Sequence, residues 1–136
     1  GEPVYHGTTA QGVSELKPST IKGRAGENQL PGIYVTDDIG FARDFSRKNG
    51  IQINEPIQAQ LNGKILEVKN VAELKTKFGS TNLPEIANKV KAQGYDAVRY
   101  TDNTLGGTGK ETIVLNSEAL KTKSQLTDIW NKANNK

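Results

Sequence analysis

The spacing of apolar positions changes several times along this chain, and each change marks an element. Residues 3–6 read as a first strand, and 9–15 as a brief helix that ends near Lys17-Pro18. The stretch 17–31 holds Pro18, Gly23, Gly26 and Pro31 with little periodicity, so it reads as a loop. A loop of that length in a small domain is often functional. Gly32 to Thr36 forms a second strand. Asp37 or Asp38 then caps a helix running to about Lys48, with Phe41 and Phe45 on one face. Residues 57–61 and 64–68 are expected to form a hairpin around Asn62-Gly63, the pair favoured by a type I′ turn. Asn70 caps a helix over 71–78. Asn82 and Pro84 open another, whose stripe is Ile86, Ala87 and Val90 and whose stop is Gly94. Tyr95 to Tyr100 reads as a strand, 101–110 as a Gly-rich loop, Glu111 to Leu115 as a strongly β-prone run, and 124–134 as an amphipathic helix carrying Leu126, Ile129 and Trp130. Helices mixed with hairpins, rather than regular βαβ repeats, make the expected class α+β.

At 136 residues the chain has the size of a single domain, taken here as 1–136, and can bury a core without staples. Methionine is absent even at position 1, and Gly1 reads as a cloning remnant, so a domain excised from a larger protein is expected. Cysteine is absent too, which removes disulfides and thiolate chemistry and leaves the fold indifferent to redox compartment. No apolar run approaches a membrane span and no signal peptide opens the chain, so no membrane partner is expected. The net charge of +3 comes from the tail, where Lys121, Lys123, Lys132 and Lys136 face only Asp128. A nucleic-acid surface wants a clustered basic stripe. The body offers only hints of one: Arg43, Arg47 and Lys48 in one expected helix, and Lys17, Lys22 and Arg24 in one loop.

Several chemistries fail on residue type. One histidine and no cysteine cannot build a usual zinc site, so no metal is expected. A Ser-His-Asp hydrolase would have to use His6, and no nucleophile elbow is present. The run Gly106-Gly107-Thr108-Gly109-Lys110 superficially resembles a phosphate loop. However, Thr104 stands where the first glycine should be and Glu111 where Ser or Thr should follow the lysine. No G-x-G-x-x-G opens a helix, which disfavours a Rossmann site.

What remains is one His, one Tyr and one Glu on three separate expected strands, each inside a short motif. These are Val4-Tyr5-His6-Gly7-Thr8-Thr9; then Gly32-Ile33-Tyr34-Val35-Thr36-Asp37-Asp38, followed by Ala42-Arg43-Asp44-Phe45; then Glu111-Thr112-Ile113-Val114-Leu115-Asn116, with Lys121 downstream. Taken singly, His6 reads as a hydrogen-bonded structural histidine, Tyr34 as core, and Glu111 as a solvent-facing strand residue. The ordered set resembles the ADP-ribosyltransferases of the His-Tyr-Glu type, the diphtheria-toxin and poly(ADP-ribose)-polymerase-like clade. It is especially similar to short bacterial and phage versions found in polymorphic toxins and polyvalent proteins.

The resemblance implies a fold of mixed and antiparallel split sheets with peripheral helices around an NAD cleft. NAD would be a substrate rather than a resident cofactor. His6 would contact the adenosine ribose, Gly7 backbone groups would hold the nicotinamide amide, Tyr34 would stack on the nicotinamide ring with Phe45 as second plate, Thr8 and Ala42 would also belong to the cofactor-binding set, and Glu111 would hold the 2′-hydroxyl of the nicotinamide ribose. His6, Tyr34 and Glu111 would be the catalytic set. The loop 17–31 would cover the adenosine side. The loop before Glu111, with Asp102, Asn103 and Thr104, would border the acceptor, and Arg43, Arg47 and Lys48 would hold phosphates if that acceptor is RNA. Such a domain would form the C-terminal toxin portion of a larger protein. It would act as a monomer on a protein or RNA acceptor in a target-cell cytoplasm, or in the cytoplasm if phage-encoded, with a cognate immunity protein as possible partner.

Two departures stand out. Many relatives carry a small hydroxyl residue where this chain has Ala42. Arginine- and asparagine-modifying relatives of the other clade place Glu or Gln two residues before the catalytic Glu, where this chain has Gly109. Other readings stay open: an idle module that binds NAD or ADP-ribose, an NAD glycohydrolase, an RNA 2′-phosphotransferase of related fold, and a pure protein-interaction domain.

Overall fold

In the computed structural model, which describes residues 1–10, 12–16, 29–102 and 109–134, short polar side chains start all four helices, the last through Thr122, which accepts from the Gln125 amide at 3.1 Å. Asp38 accepts hydrogen bonds from the Gly40 and Phe41 amides (2.9 and 3.2 Å) and opens α1, Ile39–Asp44. Asn70 accepts from the Glu73 amide at 2.9 Å and opens α2, Val71–Phe78, which stops at Gly79 in a left-handed conformation. Asn82 accepts from the Glu85 amide at 3.0 Å and opens α3, Leu83–Ala92. The fourth helix, α4, spans Lys123–Asn134. The strands are β1 Glu2–His6, β2 Ile33–Thr36, β3 Arg47–Lys48, β4 Ile51–Gln52, β5 Ile57–Leu61, β6 Ile65–Val68, β7 Ala97–Tyr100, β8 Glu111–Val114 and β9 Leu120–Thr122. The class is α+β, with a mixed sheet.

Seven strands form that sheet in the order β6-β7-β8-β2-β1-β5-β9, all pairs antiparallel except β6 with β7. Only residues 62–64 join β5 to β6, yet four strands lie between them in that order. In a flat sheet the two would stand about 24 Å apart at ~4.8 Å per strand, while four residue steps reach about 14 Å at most. The sheet must therefore fold over on itself. The fold lies between β1 and β2, whose ladder has a single registered pair, Tyr5 opposite Thr36. One apolar cluster fills the space between the halves: Val4, Ala59, Leu61 and Leu120 from one, Ile33, Val35, Ala97 and Val114 from the other. A second cluster lies between the β6-β7-β8 face and helices α2 and α3, where Leu74, Leu83, Ile86 and Val90 meet Leu66, Val68, Val98 and Ile113. Each such fully buried aliphatic side chain contributes roughly 1.5–3 kcal/mol.

Three expected elements differ. The helix over 9–15 does not form among its described residues. Gly12 has φ +66°, and the Asn54 side chain donates to the carbonyls of Thr8 and Ala10 (both 2.9 Å), removing acceptors a helix would need. The helix expected to reach Lys48 stops at Asp44, because Asn49 and Gly50 both have positive φ (54° and 77°) and turn the chain into the hairpin β3–β4. Arg47 and Lys48 are thus strand residues, not on one helix with Arg43. Finally, 57–61 and 64–68 do not pair with each other. β5 lies between β1 and β9, and β6 pairs with β7. The Asn62 amide goes to the Ala119 carbonyl (2.8 Å) and the Lys64 amide to the Asp96 carboxylate (2.9 Å), so the turn is held from outside.

Candidate functional site

The seam between β1 and β2 gathers most of the residues singled out by motif. His6 is the last residue of β1, and its Nδ1 lies 2.7 Å from the Tyr34 carbonyl oxygen. A carbonyl can only accept, so Nδ1 carries the proton and Nε2 of the neutral ring is left as an acceptor. Gly7 follows directly beneath α1. A side chain there would collide with the Ala42 carbonyl and the Phe45 Cβ, so the close approach of helix and strand requires glycine. Thr8 donates its amide to the Ser46 hydroxyl at 3.2 Å. Ala42 is buried under this contact, whereas Phe45 is 55% exposed and meets Phe41 edge-on, ring centroids 5.1 Å apart.

Glu111 opens β8 with Thr36 opposite on β2 and Tyr100 opposite on β7. Tyr34, two residues from Thr36 on the same strand, shares that face of the sheet. Burial holds the Glu111 carboxyl above the usual carboxylate range. Burial likewise raises both phenols: Tyr100 is pushed up to about 12, with the Glu111 charge adding to the effect, and Tyr34 is raised further, with Tyr100 and then Glu111 adding. Tyr34 is not a free plate. Its hydroxyl donates to the Leu30 carbonyl at 2.6 Å and its ring packs, partly buried, against the helix-side core.

Two contacts that sequence reading did not anticipate set the position of Glu111. Asp37 accepts from the Lys110 amide at 2.7 Å, tying the residue before the strand to the end of β2. A side chain at Gly109 would collide with Asp38 Cβ and press on Asp37 and Thr36. Position 109 thus has no room for a side chain. Tyr100 was also missed as a neighbour of Glu111. Its strand was expected, but its register was not legible.

The residues expected to border an acceptor are less concentrated. Arg43 pairs with Glu55 (3.5 Å) and Arg47 with Asp44 (3.6 Å), while Lys48 lies exposed in β3. Asp102 donates its amide to the Lys69 carbonyl at 2.8 Å. Asn103, Thr104 and residues 17–28 of the expected cover loop lie outside the described residues. A cavity of about 260 Å³ between β5 and α4, lined by Gln58, Ala59, Gln60, Lys123 and Leu126, includes none of the motif residues. Among the described residues no group of His, Cys, Asp and Glu gathers as a metal site, and no helix is long and apolar enough to cross a membrane. No family model matches the chain, and no curated protein does either.

Proposed function

We propose that this domain is a mono-ADP-ribosyltransferase that breaks the nicotinamide–ribose bond of NAD and passes ADP-ribose to a macromolecular acceptor. The observation that carries the reading is that His6, Tyr34 and Glu111 lie on the adjoining strands β1, β2 and β8, with His6 bonded to the Tyr34 carbonyl and a half-buried carboxylate beside two phenols on the Tyr34 face. Nicotinamide leaves as a neutral molecule and takes the bond's electron pair. Positive charge develops on the ribose, as in glycoside cleavage. A preorganised carboxylate at that place favours the transition state over the ground state. The acceptor then bonds to the ribose carbon and loses its proton. In this reading Glu111 is the carboxylate, the bare Nε2 of His6 accepts from a ribose hydroxyl, and the exposed part of the Tyr34 ring and Phe45 flank the nicotinamide.

Glu111→Gln separates the enzyme from an idle NAD-binding module. The substitution keeps size, removes the charge and turns one acceptor oxygen into a donor. NAD affinity is expected to survive, and single-turnover nicotinamide release is expected to fall by roughly 10²–10³. A folded variant that binds NAD and turns over at the parental rate defeats the catalytic assignment.

A further inference from the structure

We propose that Tyr100 is a second substrate-holding residue of this site, its phenol donating to the ribose hydroxyl next to the one that Glu111 holds; this rests on the transferase reading above. Tyr100 ends β7, Glu111 opens β8, and the register sets them directly opposite each other. Side chains paired in this way share one face of the sheet, with Cβ atoms about 5 Å apart. Among the described residues no hydrogen bond joins the two, and neither has another hydrogen-bond or ion-pair partner for its polar end. No buried polar side-chain atom among those residues lacks a partner, so both ends reach the surface. They are neighbouring groups with unspent bonding capacity, half buried and open on the same side. The other polar groups of that face are engaged. The Tyr34 hydroxyl donates to the Leu30 carbonyl, and the Thr36 hydroxyl receives the Asp38 amide at 3.1 Å on a side chain that is almost wholly buried.

The chemistry of the pair selects what it holds. An ionised carboxylate only accepts hydrogen bonds, and a phenol can donate one. The Tyr100 phenol keeps its proton, since burial and the Glu111 charge push it up to about 12. A phenol that spent this proton on Glu111 would draw the carboxyl down, whereas burial holds it up. One acceptor and one donor side by side match two hydroxyls on adjacent carbons. The first hydroxyl donates to the carboxylate and the second accepts from the phenol. A ribose offers that pair at C2′ and C3′. In the proposed reaction charge develops at C1′ of the nicotinamide ribose, so the carboxylate stands at the 2′-hydroxyl and the phenol falls to the 3′-hydroxyl. Tyr100 thereby tells a ribose from a sugar without that hydroxyl.

The test sets Tyr100→Phe beside the parent, each with NAD and with an NAD analogue that lacks the 3′-hydroxyl of the nicotinamide ribose. Nicotinamide release gives kcat/KM, and calorimetry gives the affinity for each substrate. Phe keeps the ring that packs against the helix-side core and removes only the hydroxyl. With NAD, Tyr100→Phe should lose roughly threefold to tenfold in kcat/KM, the loss expected for one neutral hydrogen bond. With the analogue, parent and variant should agree within about twofold, because the interaction is already gone. Equal losses on both substrates, which a packing role or an effect through Glu111 would give, overturn the proposal. So does a variant that handles NAD as the parent does. The parent should itself lose a similar factor between NAD and the analogue, and a parent that treats the two alike overturns the proposal even if Tyr100→Phe does not fold. A parent that binds NAD without releasing nicotinamide is judged by the same comparison of affinities. One that does neither removes the transferase reading itself, and so is distinct from a failure confined to Tyr100.

Discussion

At the scale of single residues, Glu111 is where function and stability pull apart. Its carboxyl is held above the usual range by burial, so the folded state keeps the proton to higher pH than the unfolded chain does. Folding stability from this group is then full in acid and declines as pH rises through the window between the ordinary carboxylate value, about 4.3, and the raised one. Above that window the cost stays constant. Glu111→Gln carries no such cost, so it should melt at a higher temperature than the parent at neutral pH. The gap should close as pH drops below about 4, and a melting series across pH checks this. The proposed reaction needs the ionised form, so if it is catalysed here nicotinamide release by the parent should climb with pH through a midpoint above the ordinary glutamate value. A stability difference that does not change with pH would mean Glu111 is solvated like any surface carboxylate.

Elements show where local rules suffice and where they stop. The caps at Asp38, Asn70 and Asn82 are legible from residue type because the bond each makes is two or three positions away. Asn82→Ala should cost about 1 kcal/mol in urea unfolding, the usual cost of a lost N-cap, since the side chain also aligns a helix whose Leu83, Ile86 and Val90 are fully buried. Turn chemistry is local too, but strand pairing is not. Asn49-Gly50 and Asn62-Gly63 are the same dipeptide. Only the first joins two strands that pair, because β5 has both edges occupied by β1 and β9. The 9–15 helix was lost for a related reason: its carbonyls are claimed by Asn54, more than 40 residues away. The candidate site divides on the same line. His6, Tyr34 and Glu111 stand out by motif, whereas Tyr100 enters through register and Asp37 and Gly109 through a contact between distant segments.

On the scale of the whole molecule, the folded-over sheet is clasped at one end of the core between its halves. Arg99 on β7 hydrogen-bonds Glu2 on β1, donates through Nε to Thr112 at 2.9 Å, and comes within 3.9 Å of Glu67. Its side chain is only 13% exposed, against 39% for that of Glu2. Arg99→Ala should therefore cost roughly 1–3 kcal/mol, the range for leaving buried polar partners unmet. Glu2→Gln should cost less, since the guanidinium keeps its other partners. Denaturation curves of the two variants, compared at constant slope, measure this. A smaller loss for Arg99→Ala than for Glu2→Gln would show that the clasp does not hold the halves.

The place of β1 in the strand order bears on how such a chain is made. Synthesis delivers this inner strand first, but its neighbours β2 and β5 begin at residues 33 and 57, and β8 and β9, which flank them, begin only at residues 111 and 120. Contacts this distant along the chain form late, because long loops must close before any are made. A nascent chain thus holds His6 and Tyr34 long before it holds Glu111. The candidate site therefore comes together only after translation has passed the first hundred residues of the domain.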